Sequence, residues 1–280
     1  MVSLSRIQAS AVTPDQLLPY VKAISGLESE PCHKFVLHSQ DDFAVLVAFP
    51  EYGETGRLFD NEEFGSDLDT ATGLALAKPG LKNLTVLSPV KPSLAPANAS
   101  INADRYWKLD LPAGKPGQKL RNLLKSANLR LRAGRDAWSA DFQVMAAEFC
   151  ERKKLDAASS FLYSRLGQYL EKCPEAVLYS ARNEKGELMG CAIADYSALS
   201  TAFYMFAFGK KEAPPGTADL LLSLIVRDSE AAGFGVLNLG LGINPGIEFF
   251  KKKWGAAPFL PLTETAWEIR KKGFFKRLFV

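Results

Sequence analysis

The sequence predicts an α/β protein with mixed sheets in which one order of elements occurs twice. Short apolar runs of strand length alternate with longer stretches of helical periodicity along nearly the whole chain. A helix, a hairpin, a helix and a strand between residues 14 and 87 are followed by the same four elements between residues 139 and 239. The composition, 47% hydrophobic and 23% charged in 280 residues, is ordinary for a soluble globular protein and supplies a sizeable core.

The first copy begins with a helix start at Thr13. Thr13 is placed to cap, Pro14 occupies the first helical position and Gln16 completes a capping box, so a helix is predicted up to about Gly26. The turn residues 40–42 separate two apolar runs and indicate a hairpin. The other predicted elements are strands at 35–38, 43–49, 84–87 and 106–111, a helix at 68–77 and a surface loop at 89–102.

A short run of Pro and Gly at residues 112–117 is the predicted domain boundary, which divides the chain into 1–115 and 116–280. A basic amphipathic helix is predicted directly after it, at 119–127. The second copy then repeats the order of the first, with a turn at 183–186 in its hairpin. Its predicted elements are helices at 139–153, 159–172, 217–232 and from residue 245, and strands at 129–135, 177–181, 188–196, 201–208 and 236–239.

Charge is distributed unevenly along the chain. Residues 1–115 hold 10 Lys/Arg and 14 Asp/Glu, whereas residues 116–280 hold 24 and 17, so a slightly acidic half precedes a basic one. A basic half suits an anionic ligand such as a coenzyme A pyrophosphate, an acyl carrier or tRNA. A lysine-rich solvated surface explains the same numbers, so charge leaves both interpretations open.

Several classes of protein are disfavoured by what the sequence lacks. No apolar run approaches the roughly 18 residues of a membrane span. The first residues lack the basic start and apolar core of a secretory signal, so we expect a cytoplasmic protein. Cys32, Cys150, Cys173 and Cys191 are irregularly spaced and the chain has two histidines, so we expect reduced, buried thiols, no zinc and no other metal site.

Residues 231–255 change character three times, from a helix end through a buried strand and a glycine-rich loop to a new helix. This order resembles the last part of a GNAT-type acyltransferase domain. Asn238-Leu239-Gly240 followed by the run 249–255, FFKKKWG, is most similar to the FemAB branch and to phosphatidylglycerol lysyltransferase C-terminal domains. The resemblance implies two tandem GNAT-like domains and transfer of an acyl or aminoacyl group to an amine or hydroxyl acceptor.

The resemblance also implies where a donor would bind. GNAT enzymes hold a pyrophosphate on backbone N–H groups at the helix start after the central strand, where the helix dipole favours an anion. That start is Pro215, Gly216, Thr217 and Ala218 in this chain. The basic and glycine-rich run usual in acetyltransferases is absent from residues 210–218. The donor is therefore expected to be either an acyl-CoA or an aminoacyl-tRNA.

Catalytic residues are assigned through the same resemblance. Strand 201–208 would carry the acyl group, with Tyr204 and Phe206 on one face at the period of two; Tyr204 is a candidate general acid and Phe206 a candidate wall of the acyl channel. Asp195 and Glu248 are the candidate bases. The alternative for each of these residues is an ordinary role in the core or on the surface, which is the more frequent role of such residue types.

The glycine-rich loop and the helix after it are expected to close the acceptor site. The candidate substrate-binding residues are Asn238, Gly240, Gly242, Asn244, Phe250, Lys251 and Lys253. The tail 268–280 mixes basic and aromatic residues, which suits either contact with a membrane or nucleic acid, or a last helix packed on the domain. Two other functions remain open: a non-catalytic module that binds an anionic ligand, and an RNA-associated protein.

Overall fold

The structure, a computed structural model, describes residues 2–50 and 61–269. The helices are α1 Leu4–Ala9, α2 Leu18–Ser25, α3 Asn61–Leu76, α4 Gln118–Asn128, α5 Ala140–Lys153, α6 Ala157–Ser164, α7 Leu166–Lys172, α8 Thr217–Ala231 and α9 Pro245–Lys253. The strands are β1 Glu28–Cys32, β2 Phe35–Gln40, β3 Phe43–Val47, β4 Asn83–Ser88, β5 Ser100–Asp110, β6 Leu131–Asp136, β7 Ala176–Asn183, β8 Leu188–Asp195, β9 Thr201–Gly209, β10 Val236–Leu241 and β11 Ala257–Glu268.

Within these ranges all the strands form one mixed sheet, in the order β1-β2-β3-β4-β11-β5-β10-β9-β8-β7-β6. A repetition is present in this order, but it is displaced by one strand from the predicted one: the hairpin predicted as the counterpart of 35–49 was 177–196, which is β7 and β8, whereas β2 and β3 correspond to β8 and β9. Strands β2 and β3 form an antiparallel hairpin, and α3 leads to β4, which pairs parallel to β3. Strands β8 and β9 form the second hairpin, and α8 leads to β10, which pairs parallel to β9.

The two copies exchange their last strands. Strand β5 follows the first copy in sequence but pairs with β10, and β11 follows the second copy but pairs with β4. Strands β5 and β11 pair with each other at the centre of the sheet. Residues 1–115 and 116–280 therefore share one continuous sheet, and their division into two domains stays a prediction.

Helices cover both faces of the second copy. On one face α8 and α4 pack over a core that includes Leu221, Ile225 and Leu237. On the other face α5, α7 and α2 enclose Phe142 and Tyr169. This three-layer arrangement buries the strands on both sides, which explains why β8 is buried along its whole length.

Most predicted elements are present, and the exceptions have local causes. The predicted helix at 159–172 is two helices that meet at Arg165, where the backbone leaves helical geometry. Three elements were missed. Helix α1 is only six residues long, β1 is an edge strand that contains Pro31, and β11 contains two prolines, which ordinarily argue against a strand. The predicted tail beyond residue 269 lies outside the described residues.

Candidate functional site

Strands β9 and β10 separate at the centre of the second copy. They pair at three positions, from Val236 with Thr201 to Asn238 with Phe203, although β9 continues to Gly209 and β10 to Leu241. Residues 204–207 are partly exposed, even though β9 lies well inside the sheet. The two strands therefore leave a gap in which main-chain N–H and C=O groups lack the partners that a neighbouring strand would supply.

Bulges on both strands accompany this gap. The register between β8 and β9 shifts at Met205, which is one residue more than β8 can match. The register between β10 and β5 shifts over Leu239 and Gly240, and Gly240 has φ 77°, the left-handed conformation that glycine adopts without strain. Bulges bend a strand and raise its twist, so β9 and β10 diverge after Phe203 and Asn238.

The bulge corrects one prediction about β9. Tyr204 and Phe206 were expected on the same face, but Tyr204 packs with the core under α8, and Phe206 packs on the opposite face against Tyr20 and Tyr163. The prediction was wrong because the extra residue, Met205, shifts the alternation by one. Only Tyr204 of this pair lies on the α8 face of the gap.

Tyr204 is protonated at neutral pH. Burial raises the pKa of its phenol, and the Asp219 carboxylate raises the pKa further. The side chain keeps partial exposure beside the gap. Tyr204 is therefore suited to donate a hydrogen bond or a proton to a bound group, and it is not suited to act as a base.

Lys251 is a buried cation at the end of β10. Its side chain is 3% exposed, and its Nζ donates to the carbonyl oxygens of Gly240, at 2.9 Å, and Leu241. Burial lowers the pKa of Lys251 to about 8, against the attraction of Asp104 and Glu248. Lys251 thus places next to the gap either a positive charge that is costly to desolvate or a readily formed neutral amine.

The glycine loop after β10 is closed tightly on β5. Asp104 accepts hydrogen bonds from the main-chain N–H groups of Gly242, at 3.2 Å, and Ile243, at 3.0 Å. A methyl group at Gly242 would lie 2.8 Å from Asp104 Oδ1, 3.2 Å from Glu248 Oε1 and 3.3 Å from Trp107 Nε1. Only glycine therefore allows these groups to converge on the loop.

Trp107 Nε1 in this cluster has no hydrogen-bond partner among the described residues, and Trp107 is 2% exposed. Lys252 lies over its ring, 5.2 Å from the centroid, and is also paired with Glu248 at 3.1 Å. Glu248, a predicted base, is therefore close to Lys251 and Gly242 but is already engaged with Lys252.

Two predicted substrate-binding asparagines have internal partners. Asn238 Nδ2 donates to the Val12 carbonyl and its Oδ1 accepts from the Gly240 N–H, both at 2.7 Å, so its amide holds the bulge of β10. Asn244 caps α9, with its Oδ1 accepting from the N–H groups of Gly246 and Ile247. These contacts fit structural roles for both residues.

The start of α8, the predicted donor site, is partly covered. Gly216 has φ 90°, and a Cβ there would lie 3.0 Å from Leu123 and 3.2 Å from Ala127, both on α4. The Thr217 hydroxyl donates to the Pro214 carbonyl. Pro215 and Ala218 remain exposed, so an anion could approach the first turn only from their side.

A carboxylate already occupies the first turn of α8. Asp219 is 4% exposed, and it accepts from Lys253 Nζ at 2.7 Å and from Trp254 Nε1 at 2.9 Å. Lys253 lies in addition 5.1 Å from the centre of the Phe250 ring. Lys253 and Phe250, both predicted to bind substrate, thus tie α9 to α8 and position the glycine loop.

Asp195, the other predicted base, lies on the far face of the sheet. It is 1% exposed; Tyr169 donates to one of its oxygens, and the N–H and hydroxyl of Ser197 donate to the other. Tyr169 belongs to α7, on the face opposite to Tyr204 and Lys251. The structure therefore brings Tyr204, Lys251 and Glu248 to one side of the sheet and leaves Asp195 on the other.

Two cavities lie away from the gap. One of about 820 Å³ is lined by His33, Lys34 and Asp67 in the first copy, and one of about 630 Å³ by Trp138 and Gly167. Among residues 2–50 and 61–269, no cluster of His, Cys, Asp and Glu has the composition of a metal site. In the same ranges, no helix is long and apolar enough to cross a membrane.

The fold and the gap together define the class. A hairpin, a crossover helix and a strand parallel to the end of the hairpin form the core of GNAT-like folds. Two such copies are present here, and in the second the parallel strands diverge at a bulge. The predicted α/β fold of tandem GNAT-like units is confirmed.

Several solved structures are similar to this chain over nearly its whole length. The C-terminal domain of a putative lysylphosphatidylglycerol synthetase from Agrobacterium fabrum is similar over 94% of this chain and 90% of its own, with 13% identity and TM-score 0.59. FemX is similar over 94% and 96%, with 11% identity and TM-score 0.59. A GCN5-related N-acetyltransferase from Kribbella flavida covers 95% and 96%, with 17% identity and TM-score 0.53. No family model and no curated protein matches the sequence.

Sequence reasoning missed Asp104 and Trp107. Both lie on β5, more than 130 residues before the loop that they contact. Strand β5 was assigned to the first half, and nothing in the sequence indicates that it pairs with β10. The only local signal is the alternation of Tyr106 and Lys108 with apolar residues, which is common to many strands.

Proposed function

We propose that the protein transfers an acyl or aminoacyl group from a carrier to an amine or hydroxyl acceptor in the gap between β9 and β10. The observation that supports this most is the divergence of two parallel strands in a buried sheet. Main-chain groups of β9 that face the gap can hold an extended acyl group as a missing strand would, whereas on β10 the Gly240 N–H and the carbonyls of Gly240 and Leu241 already have side-chain partners.

The reaction requires few side chains. The lone pair of the acceptor nitrogen or oxygen attacks the carbonyl carbon, a new C–N or C–O bond forms, and the bond to the carrier breaks. The acceptor loses a proton and the leaving group gains one. Positioning and stabilisation of the oxyanion supply most of the acceleration, so no covalent nucleophile is needed.

Two residues beside the gap have properties that suit these steps. Protonated Lys251 stabilises negative charge on the carbonyl oxygen, because it is held by two carbonyl groups and shielded from water. Tyr204 donates a hydrogen bond to the leaving group, because its raised pKa keeps the phenol protonated, and any proton that it passes on is replaced by the one that the acceptor loses. Glu248 is the remaining candidate base on this side of the sheet.

The start of α8 favours a donor whose carrier does not bind there through a pyrophosphate. Asp219 puts a buried negative charge in the first turn, and α4 covers Gly216. The cover by α4 leaves little of the helix start open to an anion, and the Asp219 carboxylate, which Lys253 neutralises, adds no attraction for one. An aminoacyl-tRNA is consistent with this arrangement, whereas an acyl-CoA would have to bind through Pro215 and Ala218. Both carriers are made in the cytoplasm, which is the location we propose.

The names of two neighbours support transfer of an acyl or aminoacyl group: the synthetase is named for a lysyl group and the acetyltransferase for an acetyl group. An alternative is a module that binds an anionic ligand without turnover. That alternative is favoured by Glu248, whose engagement with Lys252 leaves the site without a free base. Binding of a ligand that the protein never converts would favour this binding module.

The function is tested by a transfer assay with purified protein, each of acetyl-CoA, a long-chain acyl-CoA and aminoacyl-tRNA, and a panel of amine and hydroxyl acceptors. Loss of acyl group from the carrier with gain of mass on the acceptor is the expected result. Tyr204→Phe should reduce the rate about tenfold or more without a change in fold. Binding of donors without transfer to any acceptor would contradict the proposal.

A pair of variants at Ala218 separates the two donors. Ala218→Glu places a second negative charge at the exposed start of α8, where it should repel a pyrophosphate yet stabilise the helix by about 0.3–1 kcal/mol. Ala218→Gln is the matched neutral control. If acyl-CoA binds there, only the Glu variant weakens its binding; if both variants bind donor as the wild type does, the pyrophosphate is not at α8.

A further inference from the structure

One stretch of the chain is basic and contains no acidic residue. Residues 113–135 include seven Lys or Arg and no Asp or Glu. They form α4 and β6, which are consecutive in the chain. Strand β6 is the last strand of the sheet, so one of its edges has no neighbouring strand.

The apolar side of α4 is used in packing, and its charged side faces outward. Leu120 and Ala127 are buried, and α4 packs on α8. The exposed basic residues are Lys115, Lys119, Arg121 and Lys125 on and before α4, and Arg130 and Arg132 at the start of β6. We call these six residues the α4–β6 surface.

The charge of this surface is not neutralised within the protein. Of the seven basic residues, Arg135 alone forms an ion pair in the described part of the chain, with Asp228. Arg121 donates to the Pro116 carbonyl, which leaves its charge in place. The turn after β7 brings Glu184 and Glu187 near the start of β6, because Asn183 pairs with Leu131. Positive charge is therefore densest on α4.

We propose that the α4–β6 surface binds the phosphate backbone of an RNA. Gln118, Asn122 and Asn128 accompany the basic residues on the exposed side of α4, and such side chains commonly bond phosphate and sugar oxygens. That side carries no apolar residue, whereas a helix that inserts into a bilayer needs an apolar face toward the lipid. Leu129, just after the helix, is the sole exposed apolar side chain of this stretch among the described residues.

The surface also lies next to the proposed site. Leu123 and Ala127 of α4 contact Gly216 at the start of α8. An RNA on the outer side of α4 would therefore run past the α8 end of the gap. That this RNA is the carrier of the acyl group rests on the proposed function, whereas the binding of RNA does not.

The test is RNA binding by the full chain, measured by fluorescence anisotropy with deacylated tRNA between 50 and 200 mM salt. The triple variant Lys119→Gln, Arg121→Gln, Lys125→Gln removes three charges from α4. We expect it to lower the slope of log K against log salt by about two to three and to weaken binding at least about tenfold at the lower salt. Circular dichroism establishes that the helix content is kept.

The matched control removes three exposed charges from the other face of the sheet, with Lys153→Gln, Lys154→Gln and Lys172→Gln. It should bind RNA with the slope of the wild type. The proposal is overturned if the wild type does not bind tRNA at 50 mM salt, or if the control loses as much as the α4 variant. It is also overturned if the α4 variant loses binding to anionic vesicles while keeping RNA binding. Because no acyl transfer is measured, failure here is distinct from failure of the proposed function.

Discussion

The parallel strand pairs of the two copies differ in how far they stay together. Strands β3 and β4 pair at five positions, and the Ala48 N–H continues the ladder to the Leu87 carbonyl at 2.8 Å. Strands β9 and β10 pair at three positions and then diverge. The first copy runs from β4 into Ser88 and Pro89, whereas the second runs from β10 into a glycine loop and α9.

The difference shows what a gap requires beyond the fold. Both copies have the hairpin, the crossover helix and the parallel strand. Among residues 2–50 and 61–269, only the second copy has a bulge on each strand of the parallel pair, at Met205 and at Gly240, and only there does a buried lysine reach the end of the strand. Both copies therefore share the same strand arrangement, and a few residues of the second copy open the gap between its parallel strands.

The largest expected effect is on Lys251. Lys251→Met removes the buried charge beside the gap and should reduce transfer by about 100-fold or more, as loss of one group that stabilises an oxyanion does. The neighbouring exposed lysine gives the control, because Lys252→Met should change the rate less than about threefold. Equal effects of the two variants in single-turnover assays would show that Lys251 has no special role in transfer.

The pH dependence of stability gives a second test of Lys251. Its folded pKa is about 8, below the ordinary value of 10.5, so between these values the unfolded chain binds more protons than the folded one. Lys251 therefore makes the free energy of unfolding rise with pH from about 8 to 10.5, by on the order of 3 kcal/mol. Below pH 8 its buried charge is a constant cost.

Other groups titrate in the same range, so the quantity to measure is the difference in unfolding free energy between wild type and Lys251→Met. Urea denaturation at pH 7, 9 and 10.5 should show that difference moving in favour of the wild type as pH rises. A difference that stays constant across the three pH values would mean that Lys251 is not buried as a strained cation.

The sequence shows the elements of the second copy well because their patterns are local. The start of the helix predicted from residue 139, the turn at 183–186 and the end of the helix predicted at 217–232 lie where the chain predicts them. The face of Phe206 was not predictable, because the bulge at Met205 depends on β8 and on the gap rather than on neighbouring residues. Asp195 has the residue type of a base, and only its contacts with Tyr169 and Ser197 show that its oxygens are occupied.

Gly240 tests whether the bulge of β10 is needed. Gly240→Ala introduces a side chain with no atom within 4 Å, so the cost comes from φ 77° alone and should be about 1–2 kcal/mol of stability. Gly235→Ala, also free of contacts but without positive φ, is the control and should change stability by less than about 1 kcal/mol. If the two substitutions cost the same, the left-handed bulge is not what the structure shows.

The smallest expected effect is at the rim of the loop. Ile243 and Phe249 are 72% and 69% exposed, so Phe249→Ser should change stability by less than about 0.5 kcal/mol. If the acceptor has an apolar part that rests on this rim, the same variant raises KM and leaves kcat unchanged. Leu199→Ser, at another exposed position, is the control that should alter neither constant.

Hydrogen–deuterium exchange tests the central claim most directly. The main-chain amides between residues 204 and 208 that face away from β8 should exchange quickly in the free protein, and more slowly when the acyl donor that supports transfer is bound. The amides of residues 44–48 in the first copy should be unaffected by the donor, because their ladder is already complete. Donor binding that leaves residues 204–208 unprotected would contradict an acyl group held between β9 and β10.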